Sequence, residues 1–318
     1  MTNPRFQVIA VTLNPAIDQI ITISEFRSGA VNRVEKVREN PGGKGVNVAS
    51  ALADYGIGVA ATGFLGSKNS SIFEDLFERK NIGDHFVRIA GQTRVCIKIN
   101  DPVHSETTDI NFAGVTPQLN EMTAFYKQLD EVAAGGSLWI VLSGSVPPGM
   151  DPGIYCELIE RFRARGHKVV LDTSGEPLRL ALEAAPTIMK PNIHELEDLL
   201  RRPLKTRESI VEAARHCIAR GTMLVTVSMG AEGALFITAD EVIFARPPSI
   251  SVCNSTVGAG DAMVTGMIVG HLRELPLADC ARLATAFSIN VLTGRGPGVN
   301  DSDLIEGVMN DVEIIKLE

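Results

Sequence analysis

The sequence of 318 residues has no uninterrupted apolar run long enough to cross a bilayer, because glycine, aspartate or arginine breaks its longest apolar stretches. A membrane-spanning helix needs about 20 mostly apolar residues. The segment from Met1 to Arg5 runs directly into a strand-like stretch, without the basic and apolar regions of a secretory signal. We therefore expect a cytoplasmic protein with no membrane partner.

The usual metal-binding and redox patterns of cysteine and histidine are also missing. The five cysteines are far apart and include no C-x-x-C pair, and the six histidines form no H-E-x-x-H pattern. This spacing argues against a zinc site. Because the cysteine count is odd and no secretory signal is present, we expect reduced thiols rather than a disulfide framework.

Basic residues are fewer than acidic ones, 30 against 38, which gives a net charge of −8. Nucleic-acid binding draws much of its affinity from neutralising phosphates, so we expect no nucleic-acid partner. Net charge describes the whole molecule, however, and a cleft can focus a positive field of its own. The acidic balance therefore still permits a phosphorylated substrate.

The sequence does contain a regular alternation of apolar strand-length runs and amphipathic helix-length runs. Strands are predicted at 7–12, 59–64, 138–142, 168–172, 188–190 and 224–228. Helices are predicted at 45–55, 71–80, 118–133, 151–165, 176–183, 193–200, 208–220 and 262–272. Continuous apolar strands separated by helices predict βαβ units, a mainly parallel sheet and an α/β fold.

Two stretches, 18–37 and 93–112, depart from this alternation because apolar and polar residues follow one another in turn. That pattern predicts half-exposed antiparallel strands. Together they would form one small β-sheet over an edge of the core, a lid that excludes water from a reaction; a decorative hairpin is the alternative. We predict a core of residues 1–12, 38–88 and 113–318, and a β-lid of residues 13–37 and 89–112.

Four glycine-rich segments stand at predicted strand or helix ends, where backbone N–H groups can approach an anion. They are P-G-G-K-G-V-N (41–47), S-G-S-V-P-P-G (143–149), S-M-G-A-E-G (228–233) and S-T-V-G-A-G-D (255–261). The first is not a Walker A loop, because Gly45 rather than serine or threonine follows Lys44. No G-x-G-x-x-G follows the first strand, which argues against a nicotinamide oxidoreductase.

The fourth segment opens a helix that is apolar nearly all round, so its N-terminus would form a desolvated anion site. Asp261 at this position is compatible with two roles. It is either a helix cap or a general base beside an anion-binding turn, as phosphoryl transfer requires. The spacing alone does not decide between them.

Six motifs in a fixed order show that the chain resembles the ribokinase-like carbohydrate kinases, also known as the PfkB family. They are the four glycine-rich segments together with T-L-N-P-A-I-D (12–18) and K-P-N-I-H-E-L (190–196), and the resemblance runs from Val11 to about Gly298. It implies a three-layer ribokinase-like sandwich with a mainly parallel central sheet and a small β-sheet lid. It also implies ATP, Mg²⁺, a monovalent cation such as K⁺ near 255–257 and 294–298, and a homodimer formed through the lid.

Within the family, Lys44, Ser255 and the segments 93–99 and 108–114 are similar to the branch that phosphorylates fructose 1-phosphate. The resemblance therefore implies transfer of the γ-phosphoryl group of ATP to the 6-hydroxyl of fructose 1-phosphate, which gives fructose 1,6-bisphosphate. The same chemistry on tagatose 6-phosphate or fructose 6-phosphate is the alternative. A non-catalytic sugar-phosphate sensor is a third reading, against which the intact Asp261 and its glycines argue.

The resemblance also implies roles for individual residues. Asp261 would be the base, and the backbone of Gly258, Ala259 and Gly260 would hold the γ-phosphate. The sugar site would comprise Asp18, Arg33, Gly43, Asn47, Arg94 and Ser145. The nucleotide site would comprise Lys190, Asn192, Ser228, Gly230, Ala231, Glu232, Gly233, Thr256, Gly258 and Gly260. Glu195 would act on Mg²⁺ through water, and we hypothesise that Lys44 and Lys98 help to select the 1-phosphate sugar.

Overall fold

The protein is described by a computed structural model that covers residues 6–104, 106–250, 257–294 and 302–317. Its strands, in chain order, are β1 (Val8–Thr12), β2 (Ala16–Thr22), β3 (Lys36–Gly42), β4 (Val59–Gly66), β5 (Gly83–Ile89), β6 (Arg94–Asp101), β7 (Glu106–Ile110), β8 (Trp139–Ser143), β9 (Lys168–Asp172), β10 (Ile188–Met189), β11 (Leu224–Ser228), β12 (Ala234–Ile237), β13 (Val242–Arg246) and β14 (Glu313–Leu317). Its α-helices are α1 (Lys44–Asp54), α2 (Ser71–Lys80), α3 (Leu119–Val132), α4 (Ile154–Arg163), α5 (Gly175–Ala181), α6 (Ile193–Leu200), α7 (Arg207–Ile218), α8 (Ala259–Leu272), α9 (Leu277–Thr293) and α10 (Ser302–Asp311).

The large sheet has the strand order β14-β13-β12-β11-β10-β9-β8-β1-β4-β5. Strands β11 to β5 in this order run parallel, and β12, β13 and β14 extend the sheet antiparallel. Alternate residues of each central strand enter two apolar layers: Ala10 packs on the side of α1, α8 and α9, while Ile9 packs on the side of α3 and α4. The predicted α/β fold, a three-layer sandwich, is therefore confirmed.

The sequence pattern identified the parallel half of the sheet but not its edges. All six predicted strands are present, and the helix predicted at 262–272 begins earlier, at Ala259. The structure adds β5, the antiparallel strands β12 to β14, and the helices α9 and α10. Strands β12 and β13 were missed because they follow β11 through short connections, without the intervening helix that marked the other strands. Strand β14 comes at the end of the chain, after α10, and its partly exposed residues differ from the continuous apolar pattern of the predicted strands.

The small sheet has the order β3-β2-β6-β7, and it joins the two predicted insertions as expected. Its outer pairs are antiparallel, but the central pair β2–β6 is parallel, which corrects the prediction of purely antiparallel strands. The reason is that the chain enters β2 and β6 after β1 and β5, which are parallel strands that end at the same edge. Strand β3 continues to Gly42, past the predicted lid boundary at 37; the division into core and lid stays a prediction.

A buried carboxylate links the two insertions at the far end of the small sheet. Asp101, at the end of β6, accepts hydrogen bonds from the backbone N–H groups of Glu25 (3.1 Å) and Phe26 (2.7 Å). It also contacts the ring Nδ1 of His104 at 2.8 Å, and these contacts keep the pKa of Asp101 below its ordinary value. The segment after β2 is therefore held to the β6–β7 hairpin by hydrogen bonds as well as by strand pairing.

Helices α8 and α9 approach each other so closely that glycine is required at their contact. A Cβ atom added to Gly266 would lie 2.5 Å from the Cα atom of Ala284. Because Asp261 lies in the first turn of α8, this contact fixes the position of that turn relative to the rest of the core.

We predict that Gly266→Val lowers the free energy of unfolding by about 1–3 kcal/mol, because overpacking displaces α8 from α9. Gly307→Val is the matched control, since Gly307 is also helical but has open space around its Cα atom; it should change stability by less than about 0.5 kcal/mol. Chemical denaturation measures both. Equal midpoints for the two variants would contradict the close packing.

Candidate active site

A cleft of about 660 Å³ opens between the small sheet and the carboxyl ends of the central parallel strands. Ligands bind at this edge in open α/β sheets. Its walls come from both sheets and from the first turns of α1, α6 and α8. The lining residues are Asn14, Ala16, Asp18, Gly43, Lys44, Asn47, Arg94, Cys96, Lys98, Asn111, Gly144, Ser145, Asp172, Thr173, Ser174, Lys190, Asn192, Glu195, Ser228, Val257, Gly258, Gly260 and Asp261.

Asp261 lies in the first turn of α8 and is only 6% exposed. The helix begins after Gly258, whose φ of 84° is accessible at low cost only to glycine. The N–H groups of the first helical turn have no intrahelical acceptor, so this turn offers donors to an anion next to a carboxylate. Asn47, in α1, donates from Nδ2 to Asp261 Oδ2 at 2.8 Å.

Burial and the nearby Asp172 carboxylate raise the pKa of Asp261 to about 6. Lys44, Lys190 and the hydrogen bond from Asn47 act in the opposite direction. A carboxyl group with this pKa is mostly ionised at pH 7 and is still basic enough to accept a proton. Its position, burial and basicity favour the general-base role over a simple helix cap.

Asp172, at the end of β9, contacts two ammonium groups of the cleft. Its Oδ1 atom lies 2.8 Å from Lys44 Nζ and 3.4 Å from Lys190 Nζ. Burial opposes the ionisation of Asp172, but the two lysines outweigh it and keep its pKa below the ordinary value. Burial alone would lower the pKa of Lys44, but Asp172 and Asp261 outweigh this effect and raise that pKa above its ordinary value. These shifts favour an ionised Asp172 and a charged Lys44.

Asp172 was not among the predicted site residues. The available signal was a charged residue directly after a buried apolar strand, at the edge where the site was expected. Asn14 and Asn111 were missed as well. Asn14 stands inside the motif 12–18, and its Nδ2 atom donates to Ala113 O at 3.0 Å and to Ser145 Oγ at 3.1 Å.

Arg94 begins β6 and is held by neutral acceptors. Its guanidinium group donates to Phe112 O at 2.7 Å, Asn14 O at 2.8 Å and Pro15 O at 3.3 Å. Ser145 Oγ lies 3.4 Å from Nη2. Within the described part of the chain no carboxylate lies within ion-pair distance of Arg94, and Asp18 interacts with it only across a longer separation. A fixed positive charge therefore faces the cleft without a direct ion pair.

A group of charged side chains from three strands of the small sheet lies beside Arg94. Lys98 Nζ, on β6, is 3.8 Å from Asp18 Oδ1 on β2 and 3.5 Å from Asp109 Oδ1 on β7. Burial, with a contribution from Asp109, raises the pKa of Asp18, and Lys98 and Arg94 reduce this effect. Arg94, Cys96 and Lys98 share one face of β6, as the alternation predicted.

The other end of the cleft contains the predicted nucleotide residues Lys190, Asn192 and Ser228. Lys190 is 4% exposed, and its Nζ atom is 3.3 Å from the position that a Cβ atom on Gly260 would occupy. Asn192 caps α6: its Oδ1 atom accepts from Glu195 N, and Glu195 Oε2 accepts from Asn192 N, each at 2.8 Å. Glu195 thus lines the cleft, and its Oε2 atom already accepts a hydrogen bond from the backbone of Asn192.

The structure does not bring every predicted residue into the cleft. Arg33 is exposed in the loop before β3, and Ala259 does not line the cleft although its helical turn does. The turn between β11 and β12, which carries Gly230, Ala231, Glu232 and Gly233, also lies outside the lining. Thr256 falls outside the described residues.

Gly233 has a local structural reason to be glycine. Its φ is 114°, and a Cβ atom there would lie 2.1 Å from Ala245 O. The roles predicted for Arg33 and for the 230–233 turn remain predictions.

Two further findings concern the described residues only. They contain no cluster of three or more histidine, cysteine, aspartate or glutamate side chains suited to a metal ion. Within the same ranges, every helix is too short or too polar to traverse a bilayer.

Comparison with known proteins gives a consistent result. The family model described as "pfkB family carbohydrate kinase" matches residues 11–303. The chain is 44% identical to the 1-phosphofructokinase of Rhodobacter capsulatus over 97% of both proteins, and 46% identical to that of Xanthomonas campestris over 89% of this chain and 90% of the relative. A crystal structure of Escherichia coli phosphofructokinase-2 in complex with potassium superposes with a TM-score of 0.89 at 26% identity, covering 96% of this chain and 99% of that one.

The resemblance inferred from six motifs is thus confirmed over most of the chain. The family model begins within β1 and spans the other parallel strands of the central sheet and both insertions that form the small sheet. The chain belongs to the pfkB family of carbohydrate kinases.

Proposed function

We propose that this protein has the activity of a 1-phosphofructokinase: it transfers the γ-phosphoryl group of ATP to the 6-hydroxyl of fructose 1-phosphate, giving fructose 1,6-bisphosphate and ADP. The observation that carries the proposal is one cleft that holds both a buried carboxylate at a helix N-terminus and a guanidinium group outside ion-pair distance of the described carboxylates. These are Asp261 and Arg94. The two relatives with this activity, at 44% and 46% identity, support the choice of sugar phosphate.

The reaction end of the cleft lies at α8. Asp261 accepts the proton of the 6-hydroxyl as its oxygen attacks the γ-phosphorus atom. Charge that spreads over the transferred oxygens is stabilised by the backbone N–H groups of the helical turn at Gly258–Gly260. Lys44, held by Asp172, adds a fixed positive charge beside Asp261.

The sugar lies between Asp261 and the lid. Arg94 and Ser145 bind the 1-phosphate, since the planar guanidinium group can grip phosphate with two parallel hydrogen bonds. Asp18 and Asn47 bind ring hydroxyls. Gly43 lines the same part of the cleft. Its φ of 111° and its close packing require glycine, because a Cβ atom there would lie 3.0 Å from both Pro15 and Thr12.

The nucleotide occupies the side of Lys190, Asn192 and Ser228, and the residues present fit Mg²⁺ as its partner. Mg²⁺ usually keeps several waters and binds substrate phosphates with one or two carboxylates. Glu195 and Asp172 both line the cleft, and the buried Oδ2 atom of Asp172 accepts no hydrogen bond. When bound, the ion would neutralise phosphate charge. A K⁺ site near Val257 and Gly294 is also proposed, because the Escherichia coli neighbour binds potassium.

We further propose a homodimer formed through the outer face of the small sheet. That face, opposite to Asp18 and Lys98, carries apolar side chains around one polar pair, Gln19 and Glu39. Register places Val37 beside Ile21 and Ile97 beside Ile110. Val37 is 53% exposed and Ile110 is 44% exposed. Packing two such sheets face to face would bury these side chains.

A cytoplasmic location is proposed as well. It is supported by the use of ATP and by the described cysteines, of which Cys96, Cys156, Cys217 and Cys280 are free thiols.

The activity is tested by ADP release with a panel of fructose 1-phosphate, fructose 6-phosphate and tagatose 6-phosphate. We expect the highest kcat/KM with fructose 1-phosphate. The Asp261→Asn variant should still bind ATP but lose roughly two to four orders of magnitude in kcat, the usual effect of removing a general base.

A preference for another sugar phosphate would contradict the proposed substrate. Near-normal turnover by Asp261→Asn would reduce this residue to a helix cap. ATP binding by calorimetry shows that the variant is folded.

The pH profile provides a second prediction. Only ionised Asp261 can accept the proton, so kcat/KM should decrease about tenfold per pH unit below pH about 6. Asn47→Ala removes a hydrogen bond that favours the carboxylate and should move this limb to higher pH. The phosphate of the sugar also titrates near this pH, but it is the same in assays of the wild type and of Asn47→Ala. A displacement of the limb between these two enzymes therefore identifies Asp261 as the titrating group. Coincident profiles would exclude it as the titrating group.

The dimer is tested by light scattering after size-exclusion chromatography. The double variant Val37→Lys and Ile110→Lys places two charges on the outer face and should yield a monomer at concentrations where the wild type has twice that mass. Met223→Lys is the control, because Met223 is 68% exposed on the surface of the α/β domain rather than on the small sheet. The mass of this variant should equal that of the wild type. A monomeric wild type at micromolar concentration would reject the proposed interface.

A further inference from the structure

The choice between fructose 1-phosphate and fructose 6-phosphate poses a specific chemical problem, and the inference below rests on the proposed function. A fructofuranose ring has a near-twofold axis that exchanges C1 with C6, C2 with C5 and C3 with C4. With the phosphate at one end of the cleft and a free hydroxymethyl group at the other, the two sugars present almost the same atoms. Phosphorylation of either sugar at its free hydroxymethyl group would give the same product, fructose 1,6-bisphosphate.

One group breaks this symmetry. The anomeric hydroxyl on C2 lies next to the phosphate in fructose 1-phosphate, but next to the attacking hydroxymethyl group in fructose 6-phosphate. A single site can therefore prefer the 1-phosphate by making a hydrogen bond to a hydroxyl near the phosphate end. A site built to bind a hydroxyl discriminates strongly against analogues without it, because its own polar group is then left unpaired.

The charges of the cleft separate its two ends. Asp261 interacts electrostatically with Asp172, Lys44 and Lys190, which form the reaction end. Asp18 instead interacts with Lys98, Asp109 and Arg94, which form the lid end. Lys98 thus shares the end of Arg94, where the phosphate binds.

The contacts of Lys98 leave its ammonium group able to donate to a substrate. Its separations from Asp18 (3.8 Å) and Asp109 (3.5 Å) are longer than an ordinary charged hydrogen bond of about 2.8 Å. Asp18 lies on β2 and Asp109 on β7, the two strands that pair with β6. The two carboxylates therefore restrict the ammonium group of Lys98 to this part of the cleft. Its side chain is only 13% exposed, which limits competition from water.

We infer that Lys98 is the specificity-determining residue of the sugar site, and that it selects the 1-phosphate by donating a hydrogen bond to the anomeric hydroxyl rather than by contacting the phosphate. Asp109 positions Lys98 for this contact. Lys44, the other lysine considered for selection, is bound to Asp172 at the reaction end and takes no part in it.

The test uses an analogue that removes only the distinguishing hydroxyl. 2,5-Anhydro-D-mannitol has true twofold symmetry, so its monophosphate resembles both fructose phosphates and lacks the anomeric hydroxyl. kcat/KM is measured for this compound, fructose 1-phosphate and fructose 6-phosphate with the wild type and Lys98→Met. We expect the wild type to prefer fructose 1-phosphate over the analogue by roughly 10- to 100-fold, the range of a charged hydrogen bond.

In Lys98→Met this preference should disappear, because fructose 1-phosphate loses its extra contact, whereas the other two substrates change little. Asp109→Asn should reduce the same ratio by a smaller factor. Lys36→Met is the matched control: Lys36 is an exposed lysine of the small sheet that does not line the cleft, and its ratio should equal that of the wild type.

Two results would overturn the inference while leaving the proposed function intact. One is an equal loss with all three substrates in Lys98→Met, which would show a phosphate contact or a disturbed lid. The other is a wild type that prefers fructose 1-phosphate over fructose 6-phosphate but does not distinguish it from the analogue. A wild type that prefers fructose 6-phosphate would reject the proposed function itself, and the inference with it.

Discussion

The ion pair between Lys44 and the buried Asp172 is the interaction on which the arrangement of the cleft depends. Asp172 ends a strand of the central sheet, and Lys44 begins the helix that also carries Asn47, so the pair fixes α1 over the strand ends. Through Asn47 the same helix reaches Asp261 on α8. A second lysine, Lys190, brings the nucleotide side into the same network. Burial opposes the charge on Asp172, and its two lysine partners compensate for that cost.

The sugar end of the cleft follows a different principle. There the charges lie on a sheet assembled from two separate insertions, and its central strands are parallel because both leave the core from the same edge. Arg94 is held by carbonyl and hydroxyl oxygens that do not cancel its charge, which preserves it for an anion. The acidic balance of the whole chain is thus compatible with a phosphorylated substrate, since the field of the cleft is set by these local charges.

The sequence was sufficient to predict the α/β fold and the small second sheet, because glycine-rich turns and buried strands leave local patterns. Lys44, Lys98, Arg94 and Asp261, which were predicted as site residues, line one cleft, and their roles remain proposals. Asp172 was missed because its role depends on Lys44 and Lys190, which are distant in sequence. Strands β12 and β13 were missed because no α-helix separates them from β11 or from each other. The 230–233 turn was assigned by family resemblance alone, and its place outside the cleft lining could not be read from local sequence.

The hydrogen bond between Asn47 and Asp261 joins residues that are 214 positions apart. The carboxylate of Asp261, the proposed base, therefore acquires this partner only after α8 has been synthesised and α1 has docked against it. A fragment that ends before α8 contains Asn47 but not Asp261. The contact is in this sense a property of the finished tertiary structure, and a partly folded chain in which α1 has not docked on α8 would lack it.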